Sequence, residues 1–263
     1  MIRMIKRENC HIAYDMDKKG DRPNVVLIHG YGVDCRMWQP QIEVLENYNV
    51  INIDVRGHGE SHPCDSFSVK EAACDLREIL VVEKSEKAVL IGLSMGGYIV
   101  QEYAANYGGA GGYWIIGSTP AFLPCYPEWE KLALKHSAAL MRLYPWEYLK
   151  DTMAKSTTVT GQARDFIRPM FDTMEKKEFL KFWKSMAEAL YVRDMVFDAP
   201  LLVSCGEKDV QGTVKKHMND WTAYDNCIIK TIPEAAHLAN VDNPQCFNEI
   251  MLEFIDQCVI HEV

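Results

Sequence analysis

The stretch Ile91-Gly92-Leu93-Ser94-Met95-Gly96-Gly97 limits what this chain can fold into more than any other. The apolar run Ala88-Val89-Leu90-Ile91 before it has no polar alternation, which reads as a strand buried on both faces, and Tyr98 to Asn106 after it is compatible with a helix. A serine in Gly-x-Ser-x-Gly between a strand and a helix is held at a sharp, strained turn at the end of a sheet. Gly92 and Gly96 are expected where strand and helix approach too closely for side chains. The motif alone also suits an ordinary tight turn, and the flanking elements are what favour Ser94 as a nucleophile. The helix start would aim unpaired N–H groups and its positive dipole end at the group attacked, with Met95 N–H as a donor to a developing oxyanion.

Further buried runs recur at Val25–Ile28, Val50–Ile53, Tyr113–Ile116, Leu201–Ser204 and Cys227–Thr231, separated for the most part by helix-like segments. That alternation predicts a mainly parallel sheet covered on both faces. Two polar-flanked runs, near Arg3–Ile5 and Cys10–Tyr14, read as an edge hairpin. Helices are expected over Arg36–Leu45, over Val69–Val82 behind a Ser68/Glu71 capping box, over Gly212–Trp221 and over Gln245–Gln257.

Between the runs at 113–116 and 201–204 lies far more chain than a crossover needs. It reads as four helices, Glu128–Leu143, Trp146–Met153, Gly161–Met174 and Glu178–Tyr191. Residues 119–198 are therefore expected to form an inserted helical cap over the sheet's C-terminal edge, with 1–118 and 199–263 forming the α/β core. The insertion holds 13 of the chain's 27 aromatic residues. Most should serve its own core, and some must face the serine from above.

A net charge of -9 with no basic run disfavours nucleic acid and anionic membrane surfaces, so a small acyl compound is the expected partner. The N-terminal residues lack an apolar signal region, and no apolar run is long enough to span a membrane, so a cytoplasmic protein is expected. Nine scattered cysteines with no Cys-x-x-Cys pair predict free, mostly buried thiols, with Cys35 the one nearest a loop of interest. Neither a metal site nor a nucleotide or flavin fingerprint is expected. Nothing in the sequence fixes the oligomeric state.

A serine hydroxyl needs a base, and the base needs a third group to orient it. Ser94, Asp209 and His237 supply these in chain order, each at the C-terminal end of an expected strand or in the loop after one. Glu207 competes for the acid role, but Asp209 is favoured by its spacing from the strand. His29 and His58 sit in glycine-flanked turns and read as turn-fixing, while His11, His62, His136, His217 and His261 have surface or packing readings. The second oxyanion donor is expected in His29-Gly30-Tyr31-Gly32, from Tyr31 N–H.

Six ordered motifs carry a resemblance: His-Gly-x-Gly after a buried strand, Trp38 beyond it, Asp54-Val-Arg-Gly-His-Gly-Glu-Ser61, Gly-x-Ser-Met-Gly-Gly, Gly206-Glu-Lys-Asp209, and a late His237 before Asn243-Pro244. Together they are similar to the α/β-hydrolase superfamily, nearest its small bacterial carboxylesterase-like and perhydrolase-like members. The resemblance spans about residues 10–258 apart from the insertion. It implies an eight-stranded, mostly parallel sheet with a helical cap. The chain departs from the pattern at Glu234-Ala-Ala-His237, where many members have Gly-x-Gly-His, and it lacks a Gly-Gly-Gly oxyanion turn. Serine at 94, where related dehalogenases and epoxide hydrolases carry aspartate, argues against alkyl-enzyme chemistry.

The expected activity is hydrolysis of an ester, thioester or lactone of a small to medium, largely apolar acyl compound, through an acyl-enzyme on Ser94. A perhydrolase or C–C hydrolase would use the same triad. A slow-turnover ligand receptor of the same fold is the expectation of a different class.

Overall fold

A computed structural model describes residues 2–260, so His261 lies outside the described residues. Eight strands form one sheet: β1 (Ile2–Arg7), β2 (Cys10–Asp17), β3 (Asn24–Ile28), β4 (Asn49–Ile53), β5 (Val89–Leu93), β6 (Gly112–Ile116), β7 (Leu201–Gly206) and β8 (Cys227–Ile232). Their order is β1-β2-β4-β3-β5-β6-β7-β8. β2 runs antiparallel to β1 and β4, and β3 to β8 are mutually parallel.

The central strands have two interiors to fill, and the period-two geometry of a strand divides their residues between them. Val26 and Ile28 of β3, Leu90 of β5, and Tyr113 and Ile115 of β6 enter one apolar cluster. Their neighbours Val25, Leu27, Val89, Ile91, Trp114 and Ile116 enter another. Burial on both faces is why these strands read as unbroken apolar runs. β1, largely exposed, closes one edge.

Helices α1 (Gln39–Ile42), α2 (Val69–Glu83) and α3 (Met95–Asn106) belong to the first half of the chain; α4 (Glu128–Met141), α5 (Trp146–Thr157), α6 (Gly161–Ile167) and α7 (Lys176–Met186) lie between β6 and β7; α8 (Ala239–Asp242) and α9 (Pro244–Ile260) close it. The Ser68 hydroxyl accepts from Glu71 N–H at 3.1 Å and fixes the start of α2. On the opposite face Phe247 of α9 stacks on Trp114 at 4.6 Å.

Three expected helices are shorter or tighter than their periodicity suggests. The one over 36–45 is a 3-10 turn, Cys35–Trp38, followed by α1, because Pro40 cannot donate and opens a new helix. The one over 161–174 ends as α6 at Ile167, and Pro169 opens a 3-10 turn over Arg168–Thr173. The third is a 3-10 segment, Lys215–Ala223.

The helices between β6 and β7 are tied to both apolar clusters. Phe179, Phe182 and Met186 of α7 join the cluster that holds α2 and α3, while Ala154, Ala163 and Ile167 join the one beneath α9. Thr157 C=O accepts from Leu238 N–H at 2.9 Å, and the Asp242 carboxylate accepts from Val159 N–H at 2.8 Å.

One expectation is corrected. Cys10 and Cys64 form a disulfide, so the thiols are not all free. The two residues make an isolated antiparallel bridge at the start of β2, and Pro63 C=O accepts from His11 N–H beside it. Because 54 residues separate them, no local spacing reveals the pairing. Among the described residues Cys35, Cys74, Cys125, Cys205, Cys227, Cys246 and Cys258 form no disulfide, and no helix is long and apolar enough to cross a membrane.

Candidate active site

Ser94 stands between β5 and α3 with φ 55° and ψ -111°, a backbone conformation that a residue with a side chain rarely adopts. Its surroundings over-determine it. Ser94 N–H donates to Ile116 C=O at 2.7 Å, and Ser94 C=O accepts from the Ser118 hydroxyl at 2.7 Å and from Gly97 N–H at 2.9 Å. A Cβ on Gly92 would lie 2.3 Å from Gly96 O, and one on Gly96 would lie 2.2 Å from Ile28 O. Both obstacles are backbone, so neither glycine can be replaced without moving the turn.

Asp209 and His237 arrive on two loops that interlock. Lys208 N–H donates to Ala235 C=O at 2.8 Å, and Gly206 leaves room for a backbone that would come within 2.0 Å of a Cβ there. The imidazole Nδ1 of His237 lies 2.8 Å from Asp209 Oδ2, with both residues buried. Asp209 Oδ1 accepts from Gln211 N–H, also at 2.8 Å, which fixes the carboxylate plane. Glu207 instead accepts from Glu234 N–H at the surface, and the Glu234 carboxylate pairs with Lys208. Neither glutamate meets the imidazole.

With Nδ1 engaged by the acid, Nε2 is the nitrogen available to a nucleophile. Ser94 and His237 line one cavity, with Gly117 between them and a virtual Cβ there only 3.2 Å from the imidazole. No hydrogen bond closes the serine–imidazole leg, a contact that commonly tightens only with substrate present.

The loop after β3 passes over the serine: a Cβ on Gly30 would lie 3.6 Å from Ser94 Cβ. His29 holds this loop. Its Nε2 accepts from Val55 N–H at 2.9 Å, so Nδ1 carries the proton and donates to Gly30 C=O at 2.7 Å. Complete burial pushes the imidazole pKa down and keeps the ring neutral in that tautomer. His58, also buried and lowered chiefly by burial, packs edge-on against the Tyr31 ring at 5.2 Å. Both histidines thus act in the turns, not at the serine.

Sequence reasoning offers no sign of two further contacts. Ser118 lies just after β6, and its hydroxyl braces the strained turn by donating to Ser94 C=O. Tyr31, singled out for its N–H, also donates its phenol to Phe179 C=O, linking the loop over the serine to α7. Burial raises that phenol's pKa well above its ordinary value, so it remains a donor.

The cavity has a volume of about 680 Å³. Its floor carries Ser94, His237 and Tyr31, and aromatic and sulfur side chains such as Tyr98, Trp183 and Met153 form the walls. Among the described lining residues Glu130 is the only carboxylate, and none is a lysine or arginine. Glu130 Oε2 is buried without a hydrogen-bond partner, and Lys216 lies 3.8 Å from Oε1.

The 3-oxoadipate enol-lactonase 1 of Acinetobacter baylyi is 24% identical over 269 aligned residues, covering 97% of this chain and 96% of that protein. Among solved structures, a thermophilic esterase from Thermogutta terrifontis superposes with a TM-score of 0.82 at 23% identity, over 98% of this chain and 99% of its own. A bromoperoxidase from Bacillus anthracis does so at 0.80, also with 23% identity, over 97% and 100%. Those two likenesses speak for the fold. The profile of the alpha/beta hydrolase family matches residues 25–248. With the eight-stranded sheet, the strained serine turn and that match in agreement, this chain belongs to the alpha/beta hydrolase family and is an enzyme of the hydrolase class.

Proposed function

We propose that the chain is a serine hydrolase acting through an acyl-enzyme on Ser94. One observation carries the reading: the buried Asp209–His237 pair opens onto the same cavity as a serine held at positive φ. His237 Nε2 takes the hydroxyl proton as Ser94 Oγ attacks the carbonyl, and Asp209 stabilises the imidazolium that forms. The N–H groups of Tyr31 and Met95 receive the oxyanion; Met95 begins α3, so its N–H has no partner within the helix. Collapse of the tetrahedral intermediate breaks the acyl bond, and the imidazolium gives its proton to the leaving oxygen or sulfur. Water, deprotonated by the same imidazole, then attacks the acyl-enzyme and releases the acid.

The substrate class follows from the walls. An aromatic and aliphatic lining suits an ester, thioester or lactone with a small to medium, largely apolar acyl part. The names of the enol-lactonase and esterase relatives support ester or lactone chemistry. A lactone of a dicarboxylic acid such as adipate keeps a free carboxylate, however, and here it would meet Glu130 with no lysine or arginine among the described lining residues. Uncharged acyl compounds fit this cavity better. Residues 119–198 would be its lid, and 1–118 with 199–263 the core that carries the triad. The cytoplasm remains our proposed location, supported by seven free thiols and opposed by the Cys10–Cys64 bond.

The test is intact-mass spectrometry after exposure to a small fluorophosphonate, wild type beside Ser94→Ala. A single adduct on the wild type alone is expected, together with a fall in turnover of p-nitrophenyl esters by about 10⁶-fold in the variant. An unmodified wild type, or a variant with undiminished turnover, would remove Ser94 from the chemistry and favour a ligand receptor.

A further inference from the structure

A second cluster of chemically active side chains lies away from the triad, where the chain leaving β6 meets the 3-10 segment Lys215–Ala223. We infer that Cys125, His217 and Asp220 form a binding site for a divalent transition-metal ion of the zinc class, bridging the cap to the core. One donor atom from each residue falls within 4.8 Å of the others, the spread a single ion can draw together. His217 and Asp220 align because side chains three apart eclipse on a 3-10 helix, and His217 Nδ1 lies 2.7 Å from Asp220 Oδ2. Cys125 comes from the other side, on the segment before α4.

Two buried groups beside the cluster have no hydrogen-bond partner. His217 is only 5% exposed, yet its Nε2 is unpaired, and so is the Tyr224 hydroxyl. A histidine with one nitrogen on a carboxylate and the other idle can present either to an ion. Thiolate, imidazole and carboxylate together suit zinc or cobalt and not magnesium or calcium, which take oxygen ligands. Asp220 is exposed and gives the ion a way in, while a fourth coordination position stays open to water. Burial, with Asp220 next to it, pushes the Cys125 thiol up to about 12, so binding must displace that proton to solvent. Lys216 is the opposing charge near Asp220, and it weakens the site.

The site would act on the cavity through its neighbour. Tyr126 packs against the His217 ring at 5.3 Å, hydrogen-bonds Thr119 and Thr213, and lines the wall above Ser94. An ion on Cys125 would fix the residue next to that wall. The inference does not rest on the hydrolase mechanism, and metal binding should survive Ser94→Ala unchanged.

The test is titration of the chelator-treated full chain with Co²⁺. One equivalent should bind and give a thiolate-to-cobalt charge-transfer band in the near ultraviolet. Cys125→Ser should abolish the band, and His217→Asn should weaken binding by about 10–100-fold. Zn²⁺ should displace the cobalt and protect Cys125, identified by peptide mass, from iodoacetamide. A band of equal intensity in Cys125→Ser would assign the cobalt to other thiols, and unprotected alkylation at saturating Zn²⁺ would show that Cys125 is no ligand. Either result overturns the site.

Discussion

The turn that carries Ser94 and the helices between β6 and β7 line one cavity, and they are held in different ways. The turn is fixed by backbone: Gly92 and Gly96 each stand where another main chain comes too close for a Cβ, and Ser94 is bonded through its N–H and C=O. The facing wall is fixed by side chains: Phe179 and Trp183 pack on each other and on Tyr31 with ring centroids 4.8 to 6.1 Å apart, and Trp129 lines the cavity while 68% exposed. Backbone constraint admits one geometry, whereas aromatic packing admits many of similar energy. If the proposed mechanism holds, chemistry lies on the rigid side and choice of substrate on the adaptable one.

The largest effects should therefore come from the rigid side. Asp209→Asn keeps the shape but leaves the imidazole in the wrong tautomer, and kcat should fall by about 10⁴-fold. Glu207→Gln, two residues away and bonded only to Glu234 N–H, should leave kcat within about twofold. Steady-state kinetics on the two variants separates them, and reversed effects would make Glu207 the acid. Gly96→Ala comes next. With Ile28 O 2.2 Å from the added carbon, the turn or β3 must shift, at a cost of about 3 kcal/mol. Thermal melting should show a loss of roughly 10 °C, and activity should fall even in the fraction that folds. An unchanged melting temperature would mean the turn is not the constrained element described here.

This division also explains what the sequence could and could not reveal. Gly-x-Ser-x-Gly, the spacing from β7 to Asp209 and the lateness of His237 are main-chain requirements written as residue types at fixed offsets. They were legible, as was the run of buried strands. The helices between β6 and β7 were legible as helices, but not by the face they turn to the cavity. Phe179 packs against Tyr31 and also lines the pocket, so its apolar character is the same in either role. Pro40 and Pro169 stand where two helices break, yet the apolar patterns over 36–45 and 161–174 run on across both and predict single helices. Cys10 and Cys64 were invisible as a pair because only the antiparallel bridge at the start of β2 brings them together.

Tyr31 joins the two regions, and its hydroxyl can be removed without touching its N–H. Tyr31→Phe deletes the bond to Phe179 C=O while leaving the ring among Phe179 and Trp183. If the cap helps to hold the loop over Ser94, kcat should drop about five- to tenfold, the worth of one buried hydrogen bond, with KM little changed. A fall in melting temperature with kcat intact would confine the phenol to stability, and the two regions would then be uncoupled.

An effect of similar size tests the adaptable side alone. The Glu130 carboxylate should oppose an acyl chain that ends in an anion, since none of the described lining residues is a lysine or arginine and the cation paired with it, Lys216 at 3.8 Å, lies outside the lining. Glu130→Lys should leave turnover of an uncharged ester nearly unchanged, because no triad atom is involved. It should raise kcat/KM for the ester of equal length that ends in a carboxylate by about five- to tenfold. Part of the Glu130 side chain reaches solvent, so the gain must shrink as salt is added, and that dependence separates charge from a change of shape. Equal changes for both esters would mean that the lysine only reshapes the wall. The charge of the cavity would then not be what excludes anionic substrates.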